Sequence, residues 1–194
     1  MGKIFYMMGK SSSGKDTIFE KIIQKKELEL HQIVLYTTRP ARANETDGVQ
    51  YHFVDEARLL ELQKAGKVIE LRAYQVVGGV WKYFTVDDGQ IRLDRDNAIL
   101  IGTLEVYNQM KRYFGEEQVV PLYIEVEDGL RLERALARER MQDVPNYAEL
   151  CRRYLADRQD FSEEKIAEAG ILKRYENIDF DACCREIVRA VKIF

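Results

Sequence analysis

A stretch near the N-terminus combines glycine, serine and lysine at a spacing that suits phosphate binding. It runs from Gly9 to Thr17, reads GKSSSGKDT and fits the pattern G-x-x-x-x-G-K. Glycine at both ends lets the backbone curl so that successive N–H groups point inward, and a helix beginning near Lys15 adds the positive end of its dipole. Lys15 would then lie beside the β and γ phosphates of a nucleotide, although a serine-glycine turn with a solvated lysine is an alternative. The residues expected to bind the nucleotide here are Gly9, Ser11, Ser12, Ser13, Gly14, Lys15, Asp16 and Thr17.

An aspartate follows Lys15 at the place where serine or threonine usually completes this motif, and a threonine comes one position later. A carboxylate near phosphates is unfavourable unless a cation lies between them. We therefore predict that Asp16, together with Thr17, holds Mg²⁺ directly or through water. The alternative is that Asp16 only stabilises the N-terminus of the helix.

A second stretch, Tyr36 to Phe53, contains residues that could bind a single phosphate group. Arg39 and Arg42 are three positions apart beside a proline, so their guanidinium groups can point at one phosphate, and the Tyr51 hydroxyl can complete the shell. The stretch predicts a monophosphate pocket. Taken alone, it could equally be an exposed polar loop.

Both stretches follow predicted strands, and strands alternate with helices along the chain. The predicted strands are 4–8, 33–38, 68–77, 98–101 and 119–126, and the predicted helices are 17–26, 56–65, 104–114, 129–141, 147–166 and 182–191. The adjacent Gly78 and Gly79 predict a hairpin after the third strand. This alternation predicts an α/β fold with a mainly parallel sheet covered on both faces, and such sheets bind ligands at the carboxyl ends of their strands.

Length and composition limit the classes of protein that the chain can represent. Its 194 residues are the length of one domain, and a net charge of −3 provides no general attraction to nucleic acid or to an anionic membrane. Three cysteines without a C-x-x-C motif and two histidines suit neither a disulfide framework nor a zinc site. No apolar run approaches the length of a membrane-spanning helix. We predict a cytoplasmic protein whose partners are small molecules.

The second stretch, read as Thr-Thr-Arg-Pro-x-Arg-x-x-Glu-x-x-Gly-x-x-Tyr-x-Phe, resembles the GMP-binding signature of the guanylate kinase family and lies at the expected distance after the phosphate loop. The resemblance implies Mg²⁺-dependent transfer of the γ-phosphoryl group of ATP to GMP, by a monomer or a homodimer. It also implies one domain, 1–194, with a three-layer P-loop NTPase core and two small subregions. The core is 1–36, 95–130 and 168–194, the acceptor-binding region is 37–94 and the helical lid is 131–167.

The same resemblance implies a role for individual residues of the acceptor-binding region. The expected ligands of the acceptor phosphate are Arg39, Arg42, Tyr51 and Tyr83. Glu45 would support the arginine loop. Glu70 and Thr85 would contact the guanine base, because a carboxylate can accept hydrogen bonds from its N1–H and its exocyclic amino group together.

Three arginines of the lid resemble those that act on the transferred phosphoryl group, namely Arg134, Arg138 and Arg153, and with Lys15 they form the predicted catalytic set. An alternative is that they belong to a solvated helix face with salt bridges to nearby glutamates. Asn177 resembles the residue of the loop that contacts the adenine of ATP.

Three positions depart from the family pattern and leave the strictness for guanine open. Leu35 stands where a serine contributes to base recognition, Phe84 replaces a glycine and would reshape the base pocket, and residues 101–103 (Ile-Gly-Thr) stand where the family tends to carry Asp-x-Asp. Two alternatives therefore stay open. One is a related kinase of another small phosphorylated acceptor, such as a ribose bisphosphate, and the other is a non-catalytic guanylate-kinase-like binding module.

Overall fold

A parallel five-stranded sheet forms the centre of the computed structural model, which describes residues 1–76 and 79–194. Its strands are β1 (Ile4–Met8), β2 (Leu30–Gln32), β7 (Asn97–Ile101), β8 (Val119–Glu125) and β9 (Arg174–Glu176). They lie in the order β2-β7-β1-β8-β9, and each neighbouring pair is parallel. The strand order reverses beside β1, so a crevice opens at its carboxyl end.

A smaller sheet is built from the middle of the chain. Its strands are β3 (Tyr36–Thr37), β4 (His52–Phe53), β5 (Val68–Val76) and β6 (Gly79–Val86), in the order β4-β3-β6-β5. Strands β5 and β6 are antiparallel, and Val76 lies opposite Gly79. Gly78, one of the two glycines that predicted the hairpin, and Val77, the last residue of the predicted strand 68–77, lie outside the described residues.

Helices cover both sheets. They are α1 (Lys15–Ile23), α2 (Glu56–Lys64), α3 (Leu104–Phe114), α4 (Asp128–Arg140), α5 (Tyr147–Asp160), α6 (Glu163–Glu168) and α7 (Phe180–Val191), with single 3₁₀ turns at Lys26–Leu28 and Glu116–Gln118. Side-chain caps fix where several of them begin: the Asp55 carboxylate accepts from the Arg58 N–H, and the Thr103 hydroxyl from the Val106 N–H. In the described part of the chain, no helix is long and apolar enough to cross a membrane.

Alternation along β1 produces the layered core. Phe5 and Met7 pack with α1 and α7 on one face, whereas Ile4, Tyr6 and Met8 pack with α3 and α6 on the other, and all five are fully buried. The predicted α/β fold with a mainly parallel, doubly covered sheet is therefore confirmed. A separate small core joins α2 to the second sheet.

Two predicted elements are each divided in the structure. The strand predicted over 33–38 is divided, because β2 ends at Gln32 in the central sheet and β3 begins at Tyr36 in the second sheet. The helix predicted over 147–166 is two helices, because Ser162 caps a new helix through the Lys165 N–H.

The second sheet is joined to the central sheet by two neighbouring chain segments, 33–35 and 87–96, which run from β2 and into β7. These two strands are adjacent in the central sheet. A side-chain amide bridges the segments: the Val34 N–H donates to Gln90 Oε1 at 2.7 Å, and Gln90 Nε2 donates to the Val34 carbonyl at 3.2 Å.

Candidate active site

The phosphate loop connects the end of β1 to the start of α1. Gly14 is the N-cap residue of α1 and has a left-handed conformation with φ 81°. Because it is a glycine, no side chain caps the helix at this position. A Cβ at this position would lie 2.4 Å from Asn177 Nδ2, which leaves room for glycine alone. Ser12 is also left-handed, with φ 62°. The first N–H groups of α1 thus remain free of a side-chain cap and available to an anion.

Asn177 is a buried residue that contacts the phosphate loop. Its side-chain Nδ2 donates to the Ser13 carbonyl at 2.8 Å. Its backbone carbonyl accepts from Arg134 Nη2 at 2.9 Å. The structure therefore places Asn177 and Arg134 in one network beneath the loop, and the predicted contact of Asn177 with adenine stays a prediction.

Lys15 and Asp16 lie at the open edge of the loop. Lys15 Nζ is 3.4 Å from Asp16 Oδ2, and the Asp16 side chain is 77% exposed. Thr17 is exposed on the first turn of α1. The Asp16 carboxylate therefore lies on the side of the loop that faces the cleft, with the Lys15 ammonium as its nearest charged partner among the described residues.

An aspartate of α5 contacts the phosphate loop, and sequence analysis did not identify it. The Ser11 N–H donates to Asp157 Oδ2 at 2.8 Å, in the manner expected for a bound phosphate oxygen. Arg131 holds this arrangement, because its Nη1 donates to the Ser11 carbonyl at 2.9 Å and lies 3.4 Å from Asp157. Nothing in the local sequence distinguishes Asp157 from the other acids of α5.

The arginine loop is ordered by one glutamate. Both terminal nitrogens of Arg39 donate to the two oxygens of Glu45 at 2.6 Å, and the Arg42 N–H donates to the same carboxylate at 2.8 Å. The Arg39 guanidinium carbon lies 5.1 Å from the Tyr51 ring centroid and 5.3 Å from that of Phe53. Arg39 is therefore buried and oriented before any ligand binds, whereas Arg42 remains exposed.

The Arg39–Glu45 pair predicts a defined pH dependence of stability. The Arg39 guanidinium and the Arg42 amide lower the pKa of Glu45 from 4.5 to about 2. Since the pKa is lower in the folded protein, the stabilisation is fully present above the unfolded value and is lost as the pH falls through 4.5 towards 2. Urea unfolding measures the effect. We expect the free energy of unfolding of wild type to exceed that of Glu45→Gln by a constant amount between about pH 6 and 8, and by a decreasing amount below about pH 4.5.

The exposed Glu61, which pairs with Arg58 on α2, provides the control for that comparison. Glu61→Gln should differ little from wild type at each pH. A margin for Glu45→Gln that changed between about pH 6 and 8 would contradict the assigned pKa.

The residues predicted to contact the base lie on facing strands of the second sheet. Glu70 is opposite Thr85, whose hydroxyl donates to Glu70 Oε1 at 2.8 Å. Arg72, two residues further along β5, donates to the same carboxylate through Nε at 3.1 Å. Burial raises the pKa of Glu70, and the Arg72 guanidinium and the Thr85 hydroxyl oppose that shift. Phe84 points to the opposite face, where it packs in the core with α2, so the prediction that it reshapes the base pocket was wrong.

The lid arginines lie on α4 and α5, which enclose a cavity of about 240 Å³ beside the phosphate loop. Arg138 approaches the loop, with Nη2 3.4 Å from Ser12 Oγ. Arg153 lines the cavity but pairs with Glu149, its Nε donating to Oε1 at 2.8 Å. The structure thus brings Arg138 to the loop and leaves Arg153 in a helix-surface ion pair.

The phosphate loop and the acceptor region open into the same cleft, whose volume is about 520 Å³. Lys15 and Asp16 lie on one side, and Tyr51, Tyr83 and Arg72 on the other. Tyr51 is the ring over which Arg39 lies, so the arginine loop borders this space. The two stretches predicted to bind phosphate groups therefore border one cleft.

A parallel sheet with a glycine-rich loop between its first strand and the following helix, and a second sheet across the cleft from that loop, define an α/β fold of the phosphate-loop class. Comparison with known proteins is more specific. The family model described as guanylate kinase matches residues 1–81. The guanylate kinase of Frankia casuarinae is 42% identical over 64 residues, 33% of this chain and 34% of that protein. That of Porphyromonas gingivalis is 23% identical over 197 residues, 100% of this chain and 98% of that protein.

The fold is similar to that of a solved structure over nearly the whole chain. The crystal structure of guanylate kinase from Anaplasma phagocytophilum matches with a TM-score of 0.68 at 19% identity, covering 99% of this chain and 85% of that one. The chain aligns with only 34% of the length of the Frankia casuarinae and Desulfotalea psychrophila guanylate kinases. The resemblance to the guanylate kinase family is confirmed, and its strongest part includes both the phosphate loop and the arginine loop.

Proposed function

We propose that this protein transfers the γ-phosphoryl group of ATP directly to a nucleoside monophosphate, GMP above all, to form GDP. The observation that carries the proposal is the single cleft into which the phosphate loop and the acceptor tyrosines open. The family and the fold support the same reaction, and the relatives and the solved structure named above are all guanylate kinases. The proposal extends to ATP and GMP as small-molecule partners of a cytoplasmic monomer or homodimer.

The chain's own residues account for the steps that such a transfer needs. The loop N–H groups and Lys15 hold the donor phosphates, while Arg39 and Tyr51 orient the acceptor phosphate for in-line attack. Arg138 brings positive charge to the oxygens of the group in transfer, and α4 and α5 exclude water from it. No covalent phosphoenzyme is required. The remaining proposed contacts are Arg42 and Tyr83 to the acceptor, and Arg134 and Arg153 from the lid.

A magnesium ion bound with ATP would offset the phosphate charge and orient the γ-phosphoryl group. Mg²⁺ is held in such sites by one or two carboxylates together with phosphates and water, and Asp16 supplies an exposed carboxylate on the cleft side of the loop. In the described residues there is no group of three or more side chains that could hold a metal ion. We therefore propose Asp16 and Thr17 as the protein partners of this magnesium ion.

Asp16→Asn is expected to raise the Mg²⁺ concentration needed for half-maximal ADP release several-fold, because a neutral amide is a weaker magnesium ligand than a carboxylate. The KM for GMP should change little. Glu20→Gln, on the exposed side of α1, is the matched control. An unchanged Mg²⁺ titration for Asp16→Asn would remove Asp16 from the metal site.

Asp157→Ala is expected to lower the Kd for ATP by about tenfold, because the donor phosphate no longer has to displace a carboxylate from the Ser11 amide. Asp160→Ala is the control, since Asp160 lines the same cleft and carries the same charge. Calorimetric titration of each variant with ATP measures the effect. Equal gains in the two variants would attribute the change to net charge alone.

The proposed function is tested by coupled ADP release with ATP and Mg²⁺ across GMP, dGMP, AMP, CMP, UMP and ribose bisphosphate. We expect GMP-dependent release that is lost in Lys15→Ala and Arg39→Ala and kept in Arg58→Ala, a variant of an exposed arginine on α2. Equal rates with AMP would contradict the assignment of guanine. Absence of release with every acceptor, from a folded protein that binds ATP, would contradict the assignment of a kinase.

A further inference from the structure

One face of the second sheet forms the acceptor side of the cleft. Successive side chains of a strand alternate between faces, so every second residue of β5 points the same way. These residues pair with every second residue of β6 in register. The facing pairs are Glu70 with Thr85, Arg72 with Tyr83, and Tyr74 with Trp81.

These pairs lie at different depths. Arg72 lines the cleft together with Leu35 and Tyr83, and its side chain is 13% exposed. Glu70 lies behind it with a side chain that is 0% exposed, and Thr85 is also fully buried. Of this ion pair, Arg72 therefore lines the cleft, whereas the Glu70 side chain is buried and hydrogen-bonded to it.

Glu70 fixes the orientation of Arg72. Its two oxygens accept from Arg72 Nε at 3.1 Å and from Nη2 at 3.4 Å, so the plane of the guanidinium is held in one direction. Within the described residues, Glu70 is the one carboxylate at ion-pair distance from Arg72. The nearby segment 101–103, which also lines the cleft, carries no acid. The other N–H groups of the guanidinium thus remain available to a ligand.

A guanidinium can only donate hydrogen bonds, so it selects for ligands with acceptor atoms. Guanine presents two acceptors, O6 and N7, on one edge, and arginine binds this pair in a bidentate manner. Adenine presents an amino group in place of O6, which would place donor against donor. Leu35, on the same wall of the cleft, provides no polar group to compensate.

We propose that Arg72 selects the acceptor as a 6-oxopurine nucleoside monophosphate through O6 and N7, with Glu70 as a positioning residue that holds the guanidinium. This rests on the proposed function, since it concerns the acceptor of that reaction. The C2 amino group of guanine then has no hydrogen-bond partner, because the Glu70 carboxylate that could accept from it is buried and paired with Arg72. GMP and IMP are consequently both substrates, and AMP is a poor one.

Binding is measured separately from turnover. Trp81 is the single tryptophan of the chain and lines this cleft, so its fluorescence reports acceptor binding whether or not transfer occurs. We expect Kd values for GMP and IMP within about tenfold of each other, and a Kd for AMP higher by about 10- to 100-fold. ADP release should follow the same order.

Arg72→Lys keeps the charge beside the buried Glu70 but loses the planar pair of donors. It should weaken GMP and IMP together, by about 10- to 100-fold, while AMP changes little. Arg58→Ala is the control and should leave all three Kd values unchanged. Circular dichroism and a thermal melt establish that Arg72→Lys is folded, and the double variant Arg72→Ala/Glu70→Gln, which leaves no buried charge unpaired, gives the same test if it is not.

Two results would overturn the proposal. The first is binding of IMP at least about 100-fold weaker than GMP, which would show that the C2 amino group is recognised. The second is an unchanged Kd for GMP and IMP in Arg72→Lys. If GMP and IMP bind more tightly than AMP, lose affinity in Arg72→Lys and yet give no ADP release, the result would contradict the proposed function and support the selection by Arg72.

Discussion

Replacing Lys15 with methionine is expected to lower kcat for the proposed ATP-dependent phosphorylation of GMP by about 10³-fold, because one charged donor is removed from a developing anionic transition state. The Lys15 side chain lines the cleft beside the free N-terminus of α1, and its ammonium lies 3.4 Å from one carboxylate, that of Asp16. Methionine keeps a comparable length and apolar stem. The fold should therefore be unchanged while the charge is lost.

Lys21→Met is the matched control, because Lys21 lies on the same helix and is exposed. Its kcat should equal that of wild type. Steady-state ADP release and a thermal melt of both variants make the comparison. A kcat for Lys15→Met within about tenfold of wild type would show that the loop does not position the transferred phosphoryl group.

Arg138→Ala is expected to lower kcat and kcat/KM equally, by at least about 10³-fold, with KM values nearly unchanged. This is the behaviour of a group that acts in the transition state rather than in substrate binding. Arg138 is an exposed arginine of α4 that approaches the phosphate loop, at 3.4 Å from Ser12 Oγ, whereas the buried Arg131 on the same helix is held by the Ser11 carbonyl. The long side chain of Arg138 remains exposed and can follow the phosphoryl group as α4 moves.

Arg140→Ala removes an exposed arginine two positions along the same helix and should have wild-type kinetics. An increase of KM in Arg138→Ala with kcat retained would assign Arg138 to nucleotide binding instead. Arg138→Lys refines the result, since a lysine restores the charge without the planar fork and should recover only part of the rate.

The two loops proposed to bind phosphate groups could be predicted from the sequence because each is formed by neighbouring residues. In the phosphate loop, the left-handed Gly14 and the helix that follows lie within a few positions of Lys15. In the arginine loop, the contacts that orient Arg39 come from Glu45 and Tyr51, six and twelve positions away. Contacts between residues so close in the chain can be inferred from the residue types and their spacing. The motif that resembles the guanylate kinase family consists of these same residues.

The contacts missed by sequence analysis join distant parts of the chain. Asp157 reaches Ser11 across 146 positions, and Asn177 reaches Ser13 across 164. Arg72 was missed for another reason: alternation places it on the same face as Glu70, but only the tertiary structure shows that it lies between Glu70 and the cleft. Depth within a cleft has no signature in one-dimensional spacing.

The predicted bound of one strand was wrong where the chain passes from the central sheet to the second sheet. An apolar run predicted one strand over 33–38, yet residues 33–35 leave one sheet and enter the next, so the same hydrophobic pattern serves two cores. The strands β4 and β9 are two and three residues long, which is too short for a period to be recognised. The helix predicted over 147–166 failed because the Ser162 cap was not recognised as a start signal.

The hydrogen bonds between Val34 and Gln90 hold together the two segments that connect the second sheet to the central sheet. Because these segments join neighbouring strands, they lie side by side and form a candidate hinge at the Gln90 side chain. We expect a rotation of the second sheet towards the phosphate loop to change backbone torsions near 34–35 and 87–96 and to leave the register of β2 against β7 intact, because these residues lie outside that pairing. The packing of Leu35 and Ile69 against the central core would oppose such a rotation.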